Sequence, residues 1–476
     1  MRLTSSLQTS FFASLLLALG GCGGSVDIAS SEPTQSTVPV PTTPPIKPST
    51  ASIACGIGDL KDPTRVVLAW ARGLDLVFSR ADGSSFVAHT FPTADPATPP
   101  SIQLAARGDF VAAFSASYAE GALVSEAVLL DHNGKVLWSE TRTDAGFNVL
   151  YLGDGGALAL GLASYQGTDQ GTTIVVGPAG KIAEVVGEMP ISAPTKGGRV
   201  AVQHNFSVYA SPTFGWLDPA SGEIGSFAYA TEQAYPLAVE GGVSYVIPNA
   251  DQTGSIVVSE GDGVTGFELD APYASLGVPA RHGFVVIQGQ WGEPGNAKWR
   301  AQPGAKPAEI TLPGQTVFGA MYYEGMRAGD LGELLSPLRD EHQGGLYRST
   351  DLGATWSLIG PSFAEIADVS IVQHGGTYVV QASDLAGYFP MDPWTPPAAG
   401  GAAPDRIGPA NELIRPADGI VRELPATAQS FVLSDEGGCV AYQDGGHLFA
   451  GAVSSGKTVD LGETMTVYGS QVVWLP

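Results

Sequence analysis

The chain is poor in cysteine, in basic residues and in long apolar runs. Three cysteines in 476 residues are too few for a disulfide-stapled scaffold or a paired-cysteine zinc site. Lys and Arg number 23 against 47 Asp and Glu, for a net charge of −24. The clustered cations that bind phosphate backbones are therefore missing, and nucleic acid is not an expected partner. The same imbalance disfavours direct adhesion to anionic lipid and keeps an exported surface soluble. Beyond the first 20 residues no stretch is long and apolar enough to span a bilayer. The seven histidines (His89, His132, His204, His282, His342, His374 and His447) are scattered, with no His-x-x-x-His. Neither a Gly-x-Ser-x-Gly elbow nor a P-loop occurs, so no metal and no cofactor is expected. What abounds is glycine, with 62 residues, while only 15% of the chain is charged.

The N-terminus reads as a targeting segment. Arg2 gives a positive start, and "FFASLLLAL" (residues 11–19) follows, nine residues long and too short for a spanning helix. It runs into "LGGC" (residues 19–22), which resembles the lipobox of bacterial lipoproteins. The resemblance implies a signal peptide over residues 1–21, cleavage before Cys22 and lipidation of that cysteine. Gly23, in place of Asp, implies the outer membrane by the sorting rule of enteric lipoproteins. Residues 22–53 are Ser, Thr, Pro and Gly with almost no large apolar side chain, as in "SSEPTQSTVPVPTTPPIKPST". Such a segment cannot bury a core and reads as a disordered tether with polyproline II character. A glycosylated stalk needs the same extended geometry. If Cys22 carries lipid, Cys55 and Cys439 remain as a pair in an oxidising compartment. A bridge between them clasps the two ends of the folded domain; the alternative is two buried thiols.

From residue 54 to residue 476 short Val/Ala/Leu/Tyr runs alternate with Gly-bearing turns, the pattern of an all-β chain. The runs form units of four strands. One unit covers residues 101–141 and the next 147–187; later units begin near Pro190, Tyr235, Ser275, Thr316, Phe363 and Ala428. Turns between the first two strands recur at Gly108, Gly155, Gly197, Gly241, Gly283, Gly375 and Gly437, and the first four spacings are 42 to 47 residues. This is the sequence form of a β-propeller, and the count predicts eight blades, within a range of seven to nine. The segment 65–91 supplies only three strands, so the ring is expected to close with strands from residues 464–476, leaving no open edge.

The turns between third and fourth strands are short and alike: "DHNGKVLW" (131–138), "GPAGKI" (177–182), "DPASGEI" (218–224), "DLGATW" (351–356) and "SSGKTV" (454–459). A hairpin this tight favours a residue that tolerates positive φ and a side-chain acceptor for the turn amides. Around Ser349, Asp351, Gly353, Thr355 and Trp356 the pattern Ser-x-Asp-x-Gly-x-Thr-Trp is complete. It resembles the Asp-box (BNR-like) repeat of sialidases, other propeller glycosidases and sortilin-type receptors. That resemblance implies a propeller hairpin, with the box away from the active-site face. "SRADGSSF" (79–86) is a degenerate copy. The Phe/Tyr-Arg-Ile-Pro segment of sialidases has no counterpart. The turns at 129–138 and 216–224 also resemble those of quinoprotein-like propellers, a fold shared by an outer-membrane lipoprotein that assists β-barrel assembly.

Function is expected on the opposite face, where loops between second and third strands are longer and varied. Two larger inserts are read at residues 326–345 and 384–425. The loops offer the aromatics Tyr118, Tyr165, Trp291, Tyr388 and Trp394, suited to a glycan or peptide. They also offer Asp330, Glu333, Asp340 and Glu341, from which a glycosidase would draw an acid and a base. The leading expectation is a lipid-anchored binding or scaffold module of the cell envelope, meeting a glycan or an envelope protein and touching the membrane only through its anchor. The alternative is a propeller glycoside hydrolase.

Overall fold

The strands differ in how they are covered, and this sets the architecture. Val66–Arg72 (VVLAWAR) is apolar almost throughout and buried on both faces. Gly180–Val186 (GKIAEVV) alternates half-buried and exposed residues, as an outer strand should. Both belong to four-stranded antiparallel sheets.

The computed structural model describes the chain from Asp62 to Leu475, except residues 96–99, 120, 165–170, 205–212, 230–235, 240, 249–254, 270–274, 277–284, 289–298, 302–307, 310–314, 317–326, 329–330, 332, 340–343, 352–353, 361–367, 384–409 and 465–471. The described residues form nine sheets, here blades 1 to 9, with strands A to D counted outward in each. In blade 1, Val66–Arg72, Asp75–Arg80 and Ser85–Thr90 are strands B to D, and Val472–Trp474 supplies strand A. Blade 2 runs from Ser101–Arg107 to Val136–Arg142, blade 3 from Ala145–Leu152 to Gly180–Val186, and blade 4 from Glu188–Pro190 to Ile224–Ser226. Blade 5 runs from Leu237–Val239 to Val264–Leu269, and blade 6 from Ser275–Leu276 to Ala308–Glu309. Blade 7 ends at Ser357–Leu358, blade 8 runs from Asp368–His374 to Ile420–Leu424, and blade 9 from Gln429–Leu433 to Thr458–Glu463.

Apolar side chains join each blade to the next. Trp70, Leu448 and Ala450 share a cluster across blades 9 and 1, Phe78 and Val111 one across blades 1 and 2, and Leu129 and Leu160 one across blades 2 and 3. Val175 and Val202 join blades 3 and 4, and Trp216 and Tyr245 join blades 4 and 5. Strand A of blade 6 lies against strand B of blade 5, and blade 6 in turn meets blade 7. Leu346 and Tyr378 join blades 7 and 8, and Val379 and Val440 join blades 8 and 9. The series is cyclic, which makes the protein an all-β propeller. The expected closure is present: Leu68, Ala69 and Trp70 pair with Trp474, Val473 and Val472. Among the described residues the count is nine, the upper end of the expected seven to nine. The split unit is complete, and even blade 6, with strands of two to four residues, forms a sheet.

Turns A–B and C–D lie on one face. Arg107, at the A–B turn of blade 2, reaches Asp154 at that of blade 3 at 2.7 Å. Asp262, in the C–D turn of blade 5, accepts from the Lys196 and Gly197 amides in the A–B turn of blade 4, at 3.1 and 2.8 Å. Packing here is tight enough to require glycine. A Cβ on Gly437 would sit 2.2 Å from the His374 carbonyl, and Gly437 holds φ +65°. Connections B–C and D–A lie on the opposite face.

Both expected inserts are corrected. In the one read at 384–425, Ala410–Arg415 and Ile420–Leu424 are strands C and D of blade 8, so only residues 384–409 remain as the B–C connection. Residues 326–345 do not rise as a loop. Strand A of blade 7 comes in two pieces, Gln315–Thr316 and Arg327–Ala328, which pair with the two ends of strand B, Leu334–Arg339. Half of the supposed insert is therefore sheet, and only residues 340–343 belong to the B–C connection.

Candidate functional site

The B–C/D–A face carries the connections 165–170, 205–212, 249–254, 289–298, 340–343 and 384–409, all outside the described residues. Tyr165, Trp291, Tyr388, Trp394, Asp340 and Glu341 fall within them. Tyr118 is described. It pairs with Leu123 near the tip of the blade 2 hairpin and is 49% exposed. Its hydroxyl lies 3.1 Å from where a Cβ on Gly146 would be, so the ring leans over the first turns of blade 3. Glycine at residue 146 leaves room for that ring, and Leu123 packs beside it.

Of the acidic candidates only Glu333 is among the described residues. Asp330, outside the described residues, and Glu333 belong to the A–B turn of blade 7, whereas Asp340 and Glu341 follow the far end of strand B. The strand Leu334–Arg339 lies between Glu333 and Asp340 in the chain. Glu333 is 2% exposed and accepts a hydrogen bond from the hydroxyl of Tyr378 in blade 8. It is an interblade acceptor on the face opposite the loops, not a loop acid.

The Asp-box is an occupied turn. Ser349 closes strand C of blade 7 and is buried, and its hydroxyl donates to Asp351 Oδ1 at 2.8 Å. The Thr355 amide donates to the same oxygen at 2.8 Å, and the Thr355 hydroxyl to Oδ2 at 2.5 Å. These bonds, those from Thr355 above all, hold the carboxyl at about 2, well below the usual 3.8. Gly353 lies outside the described residues, and Trp356 is half-buried. Other turns repeat the device more simply. Asp82 takes the Ser84 amide and hydroxyl at 2.8 and 2.6 Å, Asp131 the Asn133 and Lys135 amides at 2.9 Å, and Asp218 the Ala220 amide at 2.9 Å. Carboxylates engaged in this way cap turns.

Two Glu–His pairs escaped the sequence reading. His204 Nδ1 lies 2.5 Å from Glu188 Oε2 where strands A and B of blade 4 reach the loop face. Burial pushes the Glu188 carboxyl up, and His204 opposes that shift. His89 Nε2 lies 3.0 Å from Glu126 Oε2, joining blade 1 to blade 2. The partners stand 16 and 37 residues apart, so no local motif marks them. The one visible clue is Glu126 itself, a charge inside the apolar strand Ala122–Asp131. Among the described residues no group of three metal-ligating side chains occurs.

Cys439 begins strand B of blade 9, is fully buried and is disulfide-bonded. Cys55 and Cys22 lie outside the described residues.

No protein-family description matches this chain, and no curated protein matches it. Among solved structures, dipeptidyl peptidase 4 of Porphyromonas gingivalis is similar over 87% of this chain and 60% of its own, at 8% identity and a TM-score of 0.43. Dihydro-heme d1 dehydrogenase NirN is similar over 86% of this chain and 75% of its own, at 12% identity and a TM-score of 0.39. An acylaminoacyl peptidase from Pyrococcus horikoshii is similar over 74% of this chain at 10% identity and a TM-score of 0.35, and the match spans 57% of the peptidase. No residue role or substrate is carried over from them.

Proposed function

We propose that the protein is a lipid-anchored β-propeller of the bacterial cell envelope, held at the outer membrane through Cys22, that binds a glycan or protein partner without chemical turnover. The division of labour between its faces supports this. The A–B and C–D turns are short, and the carboxylates of Asp82, Asp131, Asp218, Asp262 and Asp351 accept from turn amides. The long connections and the exposed ring of Tyr118 fall on the other face. Aromatic plates on a rigid scaffold suit sugar rings or peptide side chains. A glycoside hydrolase is the second reading. It would have to draw its acid and base from residues other than Glu333, which is engaged by Tyr378.

A glycan array probed with the purified full chain, followed by a turnover assay on every hit, separates the two. Binding without product supports the module; product formation at catalytic rates overturns it. Tyr118→Ala is expected to weaken binding about threefold to tenfold, the loss of one aromatic contact of about 0.5–1.5 kcal/mol. Unchanged affinity would remove Tyr118 from the site.

A further inference from the structure

The crossover from blade 3 to blade 4 is a single residue. Gly187, at φ +94°, carries the chain from strand D of blade 3 straight into Glu188–Pro190, strand A of blade 4. Its amide donates to the Gly171 carbonyl at 2.8 Å, and the Thr173 hydroxyl donates to the Glu188 carbonyl at 3.0 Å. Met189 packs against blade 3, where a Cβ on Gly171 would stand 2.8 Å from its methyl carbon. Strand A is only three residues long, and Pro190 has no amide hydrogen to give to the ladder. The bond between His204 Nδ1 and Glu188 Oε2, at 2.5 Å, therefore does much to tie the crossover to strand B of blade 4. His204 Nε2 lies 2.6 Å from where a Cβ on Gly215 would be, so the ring is laid across strand C. Among the described residues no other charge faces the pair. Leu158–Ser164 and Gly171–Gly177 of blade 3 carry no titratable side chain, and neither does Thr213–Leu217 of blade 4. Tyr151 shares the apolar cluster of the seam, and burial pushes its hydroxyl up, so it stays neutral. Lys181 and Glu184 hold each other and the Glu140–Arg142 pair of blade 2, and Tyr245 of blade 5 is bonded to Glu260.

We infer that Glu188 and His204 form a pH-operated latch on the loop face, which holds the blade 3–blade 4 crossover closed while the pair keeps one shared proton and loosens it when that proton leaves. With one proton the pair is neutral overall. Without it, a carboxylate that is 8% exposed stands beside an uncharged imidazole, and a buried anion with no cation is costly. The direction of the Glu188 shift agrees. Burial raises its carboxyl, so its contribution to stability is fully present below the ordinary value of 4.5 and is lost as pH rises through the raised one. The two groups titrate as a unit, so one proton is released by the pair rather than by either residue. Histidine is the side chain that changes charge between about pH 5 and 8, which sets the range to test. The latch needs no bound partner to act.

Hydrogen exchange of the full chain, read by mass spectrometry at pH 5.5 and 7.5, tests the latch. Each rate is divided by the intrinsic rate at its pH, and peptides from Cys439–Asp444 in blade 9 serve as the internal reference. Segments 186–190 and 200–204 are expected to lose about tenfold of their protection relative to that reference between the two pH values, the effect of a shift of about one pK unit. An unchanged ratio in the wild type overturns the latch. Glu188→Gln keeps an acceptor for His204 but cannot give up a proton, and should make the protection of both segments independent of pH over this range. A pH response that survives in this variant overturns the pair as its source. His204→Gln reads the same point by removing the imidazole, and a surviving response there overturns the pair equally.

Discussion

Asp351 shows how one side chain can resemble a catalytic group and serve a turn. Its carboxyl is depressed, so its contribution to stability is fully present above the ordinary carboxylate value near 3.8 and is lost as pH falls toward about 2. Urea unfolding of wild type and Asp351→Ala at pH 7, 4 and 3 should show a gap in midpoint that is widest at pH 7 and shrinks toward pH 3. A gap independent of pH would mean that the carboxylate charge is not what holds the turn. Glu333 makes the converse case. Read as a loop acid, it is buried against Tyr378, and nothing in "GDLGELLSPLRD" distinguishes an A–B turn from a loop. Glu333→Gln should lower stability by about 1–3 kcal/mol in urea titration and leave any ligand affinity unchanged.

Among the elements, the hairpin turns were the most legible, because tight C–D connections leave few choices beyond Gly, Asp, Asn and Ser. Their spacing gave the blade boundaries closely. Strand A of blade 7 was misread for a physical reason. Its two short pieces, separated by residues 317–326, lack the continuous apolar run by which a strand is recognised. The Glu–His pairs stayed invisible because their partners meet only after sheets pack. Blades 2 and 3 add a further pairing of this kind. Glu184 holds Lys181 at 2.8 Å and Arg142 at 2.8 Å across the outer strands, and Glu140 joins both cations. Half-exposed pairs of this sort contribute about 0.2–1 kcal/mol each. The closer constraint is steric. Gly437→Ala must place a methyl group against the His374 carbonyl at positive φ, and should cost about 2 kcal/mol or more, read as a lower urea midpoint. Gly108→Ala, with positive φ but open space, should cost less.

For the whole molecule, composition and period indicated a propeller, and nine blades stand among the described residues. The proposed binding face was legible only as a face, since its loops carry no motif and their chemistry depends on which side chains converge. The bridge at Cys439 belongs to this scale because Cys439 lies in the apolar cluster that joins blades 9 and 1. Reduction should lower stability by about 2–5 kcal/mol and change mobility on a non-reducing gel. Unchanged mobility with two titratable thiols would exclude the pairing with Cys55.

The closure of blade 1 also sets a timetable for folding. Its inner strand comes from the far end of the sequence, and Thr464 donates to the Ala71 carbonyl across 393 residues. No portion of the chain emerging first can complete that sheet, so Val66–Arg72 waits with a bare, apolar edge until Val472–Trp474 has been made. A chain held back until that strand arrives is one that needs a holdase while it waits, and removal of Val472–Trp474 should be met by proteases rather than tolerated.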